Sequence, residues 1–510
     1  MSGKIILGER EVSTPEMLDR AARAATGLKS QFGVGEGDAV AILMRNDFCF
    51  LEATFAANRV GAYAVPVNWH FQDEEIAYIL ADAGAKVLVL HADLLANLDL
   101  SVMPDGVAIL VAPTPAELRA PYRIADDICD VPETEINWST WLEQSEPSDE
   151  PQAAERSSMI YTSGTTGRPK GVQRKPMEAK HHEFIQARHG LTGAAPHKVN
   201  LMNGPMYHSA PNAQSLGCIR AGGTLVLQPR FEAEDLLRLI EKHKVSHMHM
   251  VPTMFVRLIK LPDAVKARYD LSSLEWIIHA AAPCPAEVKR QMIDWWGPII
   301  NEYYGATETG MVVFCDTEQW LAHPGTVGGL LPGVELKILD DDRNELPAGE
   351  VGEIFAYFAG FPDFVYQNNK AEYQQNQLGH LFSVGDVGYL TEDGFLFISD
   401  RKSDMVISGG VNIYPSEIEA LIVTHPGIRD CAVFGIPDEE FGESLAAVVE
   451  PTGPNAVTAK DVQEFVRANM AGYKVPRLVE LDANMPREDS GKIRKRDLRQ
   501  KYWEDAGRKI

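Results

Sequence analysis

The first ninety residues alternate between two spacings of apolar positions. Thr14-Pro15-Glu16-Met17-Leu18 reads as a cap, a proline in the first turn and then apolar residues at helical spacing, which predicts a helix over 14–32. Asp38 to Met44 reads as a short buried strand and Phe48 to Arg59 as a helix stopped near Gly61. Ala62 to Val67 is the next strand, Glu74 to Ala83 a helix ended by Gly84, and Lys86 to Leu90 a strand. Strand and helix in alternation predict an α/β fold, a parallel sheet covered by helices. Glu234 to His243 is amphipathic, with Leu236, Leu237, Leu239 and Ile240 toward its buried side, and Trp276 to Ala282 reads as a strand. Beyond Pro415 the pattern changes to a small α+β unit: helix Ser416 to Val423, strands Cys431 to Ile436 and Leu445 to Glu450, and helix Thr458 to Ala468. Residues 112–156, rich in Pro, Glu, Asp and Ala, predict a loose surface connection.

At 510 residues the chain exceeds one core, so two or more domains are expected. Hydrophobic residues make up 45% and charged ones 24%, as in an ordinary soluble protein. The start turns charged too soon for a signal peptide, and no stretch approaches the ~18 to 20 apolar residues that span a bilayer. The six cysteines are widely spaced without a C-x-x-C pair, which reads as reduced thiols and a cytoplasmic location. The net charge of −24 argues against nucleic-acid binding. Residues 401–510 carry 16 Lys and Arg against 18 Asp and Glu, so nearly all the deficit lies in the first 400 residues.

The most informative stretch is Tyr161-Thr162-Ser163-Gly164-Thr165-Thr166-Gly167-Arg168-Pro169-Lys170-Gly171-Val172. Glycines allow close backbone approach, successive N–H groups form an anion nest, hydroxyls donate to phosphate oxygens, and Arg168 and Lys170 add charge. It is a phosphate loop but not a G-x-x-x-x-G-K-[ST] loop, because Arg168 follows Gly167. Lys180-His181-His182, His247 and His249 read as solvated side chains, not metal ligands.

Thr162 to Gly171 resembles the T-S-G-T-T-G-x-P-K-G signature of the adenylate-forming superfamily, and further segments resemble its other motifs in order. Gly61 to Asn68 is similar to its G-A-x-x-x-P-V-N scaffold segment. Pro205-Met206-Tyr207-His208-Ser209 resembles the P-x-[FY]-H-S segment beside the carboxylate substrate. Ala280-Ala281-Ala282-Pro283 resembles G-[GA]-A-P at the adenine and acyl pocket, with Ala280 where glycine is usual. Tyr303-Tyr304-Gly305-Ala306-Thr307-Glu308 matches Y-G-x-T-E. Leu378 to Gly388 resembles W-x-x-T-G-D-[LIV]-G, with Leu381 where Trp and Val384 where Thr is usual. Asp400 to Glu419 resembles the hinge motif, with Ser403 in place of its usual lysine. Pro486 to Ile493 resembles P-R-x-x-x-G-K-[IV].

The resemblance implies a large N-terminal domain of layered sheets covered by helices (1–399) and a small mobile C-terminal domain (400–510), hinged near Asp400. It implies an AMP-forming acyl-CoA synthetase that takes ATP, Mg²⁺, coenzyme A and a small-molecule carboxylic acid; a homodimer is left open. The implied catalytic residues are Lys492, Glu308, Thr162 and His208, with Thr162 and Glu308 on the metal. The nucleotide and coenzyme A would be held by Thr162, Ser163, Gly164, Thr165, Thr166, Gly167, Lys170, Ala281, Tyr304, Gly305, Thr307, Asp386, Arg401, Gly409, Gly410 and Lys492. No carboxylate stands in the Tyr207 segment to pair with a substrate ammonium. Tyr207, Ala280, Met311 and Val312 then suggest a hydrophobic monocarboxylate: a fatty acid first, with an aryl-propenoate or a steroid side-chain acid as alternatives. A non-CoA acceptor, either a carrier protein or oxidative chemistry, is the alternative second step.

Overall fold

The computed structural model describes residues 3–147, 152–162, 168–187, 189–488 and 491–503. The chain divides into two compact units. One comprises Met1–His249, Tyr269–Trp276 and Ala359–Gln375, the other Met250–Arg268, Ile277–Phe358 and Asn376–Ile510.

The first unit holds the predicted parallel sheet. Its strands run in the order Tyr63–Pro66, Ala39–Leu43, Ala85–His91, Ala108–Ala112, Ile136–Asn137, all parallel. Every residue of Ala39–Leu43 is buried, as a strand covered on both faces requires. Helices Thr14–Phe32, Phe48–Arg59 and Asp73–Ala83 lie where the spacing predicts. The cap of the first helix differs: Ser13, not Thr14, accepts from Glu16 N. A second sheet pairs Lys4–Leu7 with Thr224–Leu227, then Val199–Met202 and His247–Met250 in parallel.

Two expectations fail in this unit. Residues 112–156 are not merely a surface excursion. They contribute helix Ala116–Tyr122, strand Ile136–Asn137 and helix Trp138–Leu142, whose Trp138, Trp141 and Leu142 are buried in the core. Trp138 Nε1 donates to the buried Glu52 at 2.8 Å, a partner 86 residues away. A five-residue helix is too short to show a period, and polar flanks hid it. The histidines are also misread: His181, His247 and His249 are buried. Burial pushes the pKa of His247 and of His249 down to about 4.

The second unit contains the parallel pair Trp276–His279 and Ile300–Ala306. An antiparallel run continues through Gly310–Cys315, Gly328–Leu330, Phe395–Arg401, Asp386–Leu390 and Gly352–Phe358. Its C-terminal part forms its own five-stranded sheet from Val406–Ser408, Val411–Ile413, Ile428–Asp438, Gly442–Pro451 and Leu478–Leu481, backed by helices Pro415–Ile422 and Ala459–Asn469. Among the described residues no helix is long and apolar enough to cross a membrane.

Candidate active site

In the first unit, strands Ile160–Thr162 and Lys170–Arg174 pair Thr162 with Lys170 and so hold the two ends of the glycine-rich segment. Ser163, Gly164, Thr165, Thr166 and Gly167 lie outside the described residues. Gly171 has a local reason: a Cβ there would stand 2.8 Å from the Tyr161 ring. The Tyr161 phenol donates to Asp82 Oδ2 at 2.7 Å and anchors the hairpin. Lys170 is engaged by Glu372, with both side chains about nine-tenths buried, and its ammonium lies 5.0 Å from the Tyr366 ring. Arg168 is exposed, its guanidinium 5.1 Å from the ring of Tyr78.

His208 is the N-cap residue of helix Ser209–Arg220. Its ring lies 4.5 Å from that of Tyr207, which meets Trp69 edge-on at 4.5 Å. Asn46 fixes the backbone before it: Oδ1 accepts from Met206 N and Nδ2 donates to Gly204 O, both at 2.8 Å. Asn46 and Trp69 were missed by sequence reasoning, because no local signal links either to a segment more than 130 residues on.

In the second unit three of the residues expected to hold the nucleotide, Tyr304, Asp386 and Arg401, converge. The Tyr304 phenol donates to Asp386 Oδ2 at 2.7 Å, and Arg401 Nε stands 3.4 Å from Asp386 Oδ1. Asp386 and Arg401 face each other in register at the ends of their strands. Burial, then the Asp386 charge, push the Tyr304 hydroxyl well above its ordinary pKa, so it acts as a donor. Gly305 is required by its own hairpin, since a Cβ would strike Gly310 O at 2.1 Å. Thr307 and the buried Glu308 form the turn that follows. Ala281, not Ala280, is the unusual backbone of its segment: its φ is 76°, a left-handed conformation that costs a non-glycine residue about 1 kcal/mol.

Behind these segments lies a charge cluster that no motif announces. Lys289 is fully buried, and its ammonium donates to Glu302 Oε2 at 2.6 Å. His279 Nε2 is 3.4 Å from the same oxygen, its Cα in register with Glu302.

In the C-terminal part, Gly409 and Gly410 have φ of 58° and 83° and join Val406–Ser408 to Val411–Ile413 as a two-residue hairpin turn. Asp400 accepts from its neighbour Arg401 N at 2.8 Å and from Ser416 N at 2.9 Å, capping helix Pro415–Ile422. Lys492 sits on a tight loop in which Glu488 N donates to Lys492 O and Gly491 N to Glu488 O, both at 2.8 Å. Arg487 pins that loop through Asp430 at 2.6 Å and through Glu450. Lys492 is exposed as a residue, and desolvation, then the charge of Arg401, hold its pKa below the ordinary value.

The family profile "AMP-binding enzyme" matches residues 3–358, and "AMP-binding enzyme C-terminal domain" matches residues 417–492. The chain belongs to this adenylate-forming family. Within it the chain falls in the acyl-CoA ligase branch, among AMP-forming acid–thiol ligases that use ATP. It is 31% identical to a feruloyl-CoA synthase of Amycolatopsis sp., covering 97% of this chain and 95% of that one. It is 29% identical to a fatty acid–[acyl-carrier-protein] ligase of Streptomyces coeruleorubidus, covering 99% and 94%. The structure of ATP-bound MatB from Rhodopseudomonas palustris superposes with a TM-score of 0.82 at 26% identity, covering 99% of this chain and 96% of that one.

Proposed function

We propose that the protein activates a hydrophobic monocarboxylic acid, fatty or aryl, as its acyl-adenylate and then forms the coenzyme A thioester. The convergence of Tyr304, Asp386 and Arg401 in one unit carries this reading. Asp386 would take the ribose hydroxyls, with Arg401 beside it and Tyr304 against the adenine; Ala281 and Gly305 would give the base room and Thr307 would donate to the α-phosphate. Thr162 to Lys170 would hold the other phosphates.

Thr162 and the buried Glu308 are hard oxygen donors of the kind Mg²⁺ selects. When bound, the ion neutralises phosphate charge. His208, beside Tyr207, would face the substrate carboxylate, whose oxygen attacks the α-phosphorus as pyrophosphate departs. Lys492 would stabilise the charge that develops there, a contribution of roughly 3 to 4 kcal/mol for one well-placed donor. The thiol of coenzyme A, guided past Gly409 and Gly410, then attacks the mixed anhydride and AMP leaves. Residues 1–399 would act as the adenylation domain and 400–510 as the mobile one, turning at Asp400.

The aromatic cluster of Trp69, Tyr207 and Tyr122 supports an apolar acid. The relative that loads a carrier protein supports a second reading, in which the acceptor is a carrier thiol. Pyrophosphate release from Mg·ATP tests both. A panel of medium-chain, long-chain, aryl-propenoic and steroid side-chain acids is run with and without coenzyme A. Repeated turnover only with acid and coenzyme A together is the expected result. A single burst that coenzyme A leaves unchanged would move the proposal to the carrier thiol, and silence with every acid would sink it.

A further inference from the structure

Helix Pro252–Ile259 and the residue after it carry Arg257 and Lys260 one turn apart, on one side. Lys260 Nζ donates to two backbone carbonyls at the start of strand Ile428–Asp438, Ile428 O at 2.5 Å and Arg429 O at 2.8 Å. The Arg257 guanidinium stands against Gly491: a Cβ on that residue would lie 3.1 Å from Nη2 and 3.2 Å from Cζ. Gly491 immediately precedes Lys492. The two contacts belong to one assembly. Asp430, next to Arg429, accepts from Arg487, and Arg487 Nη1 also donates to Gly491 O at 2.8 Å. Polar contacts, joined through the Arg429–Asp430 peptide, therefore link the helix to the loop that bears Lys492.

The chemistry of the path is informative. A buried ion pair between the helix and the strand would leave a carboxylate stranded whenever the two part. Here the acceptors are main-chain carbonyls, and a released ammonium simply returns to water. Lys260 is exposed apart from these two contacts, so its ammonium has water at hand when they part. Such a contact is specific when made and readily broken.

We propose that Arg257 and Lys260 are positioning residues, a releasable clasp that holds the Lys492 loop in place for adenylation and lets go for thioester formation. This rests on the function proposed above.

The test compares the half-reactions separately in the full-length protein. In an Arg257→Ala/Lys260→Met variant, acid-dependent pyrophosphate–ATP exchange should fall roughly tenfold, while thioester formation from preformed acyl-adenylate and coenzyme A should stay within about twofold of wild type. Lys260→Arg, which keeps a donor, should retain most of the exchange rate. Amide hydrogen exchange of residues 484–496 should quicken in the double variant and not in Lys260→Arg. Equal loss in both half-reactions, or unchanged protection of that loop, would overturn the clasp. If no acid supports exchange in the wild type while loop protection still responds to the variants, the functional reading fails, and with it the clasp's role in adenylation, while the contact between the helix and the loop stands.

Discussion

The Tyr304 hydroxyl donates to Asp386 Oδ2 at 2.7 Å across 82 positions of sequence, while Arg401 approaches the other carboxylate oxygen. The tyrosine therefore does more than offer a ring face: it fixes the carboxylate expected to receive the ribose. Asp386→Ala should weaken AMP binding by about tenfold to a hundredfold, the loss of one or two hydrogen bonds to a charged acceptor, and Tyr304→Phe by less. Calorimetric titration with AMP checks this; wild-type affinity in Asp386→Ala would remove Asp386 from the site.

Lys170 is held by Glu372, both buried in one ion pair, and that hold competes with a phosphate for the ammonium. Glu372→Gln weakens that hold and should lower the KM for ATP while reducing stability, because a buried lysine loses its counter-charge. Steady-state kinetics and urea unfolding on the same preparation read the two effects. An unchanged or raised KM would argue that Lys170 stays with Glu372 during turnover.

Removing one partner of the buried Lys289–Glu302 pair strands the other. Lys289→Met should cost roughly 3 to 5 kcal/mol, and Lys289→Met/Glu302→Gln should regain most of it. Denaturant midpoints of the two variants decide the matter. A double variant as unstable as the single one would show that packing, and not charge, sets the cost.

His249 is buried with its pKa pushed down to about 4 from the ordinary 6.5, burial being the cause. The folded state thus disfavours the proton that the unfolded state accepts. This contribution to stability is fully present above pH 6.5 and is lost as pH falls toward 4, by up to roughly 3 kcal/mol. His249→Gln should flatten the stability profile across that window. Equal acid sensitivity in variant and wild type would place the titration elsewhere.

Much of the candidate site could be named from the sequence because adenylate chemistry calls for dense local clusters of residue types. The glycine and hydroxyl loop, Tyr304 to Glu308, and the run from Asp400 to Glu419 are contiguous, so each announces itself. Asn46, Trp69, Lys289 and Arg487's grip on Asp430 were not legible in that way. Each acts on a residue distant in sequence, and a lone Asn or Lys on a helix reads as surface until its neighbours are known. The segment 112–156 failed for a related reason: two tryptophans in a short helix carry no period, yet the core closes over them.

By itself the sequence determined the alternation of strand and helix, the family, and the residue types available for phosphate, ribose and carboxylate chemistry. These follow from local spacing and from groups whose chemistry does not depend on context. Only the tertiary structure decided which charges are engaged. It showed Lys170 tied to Glu372, Asp386 fixed by Tyr304, Asp400 capping a helix, and Lys260 holding the strand that braces the Lys492 loop. Ion pairs and hydrogen bonds form between side chains that folding brings within about 3 Å, and a linear pattern carries no such distance.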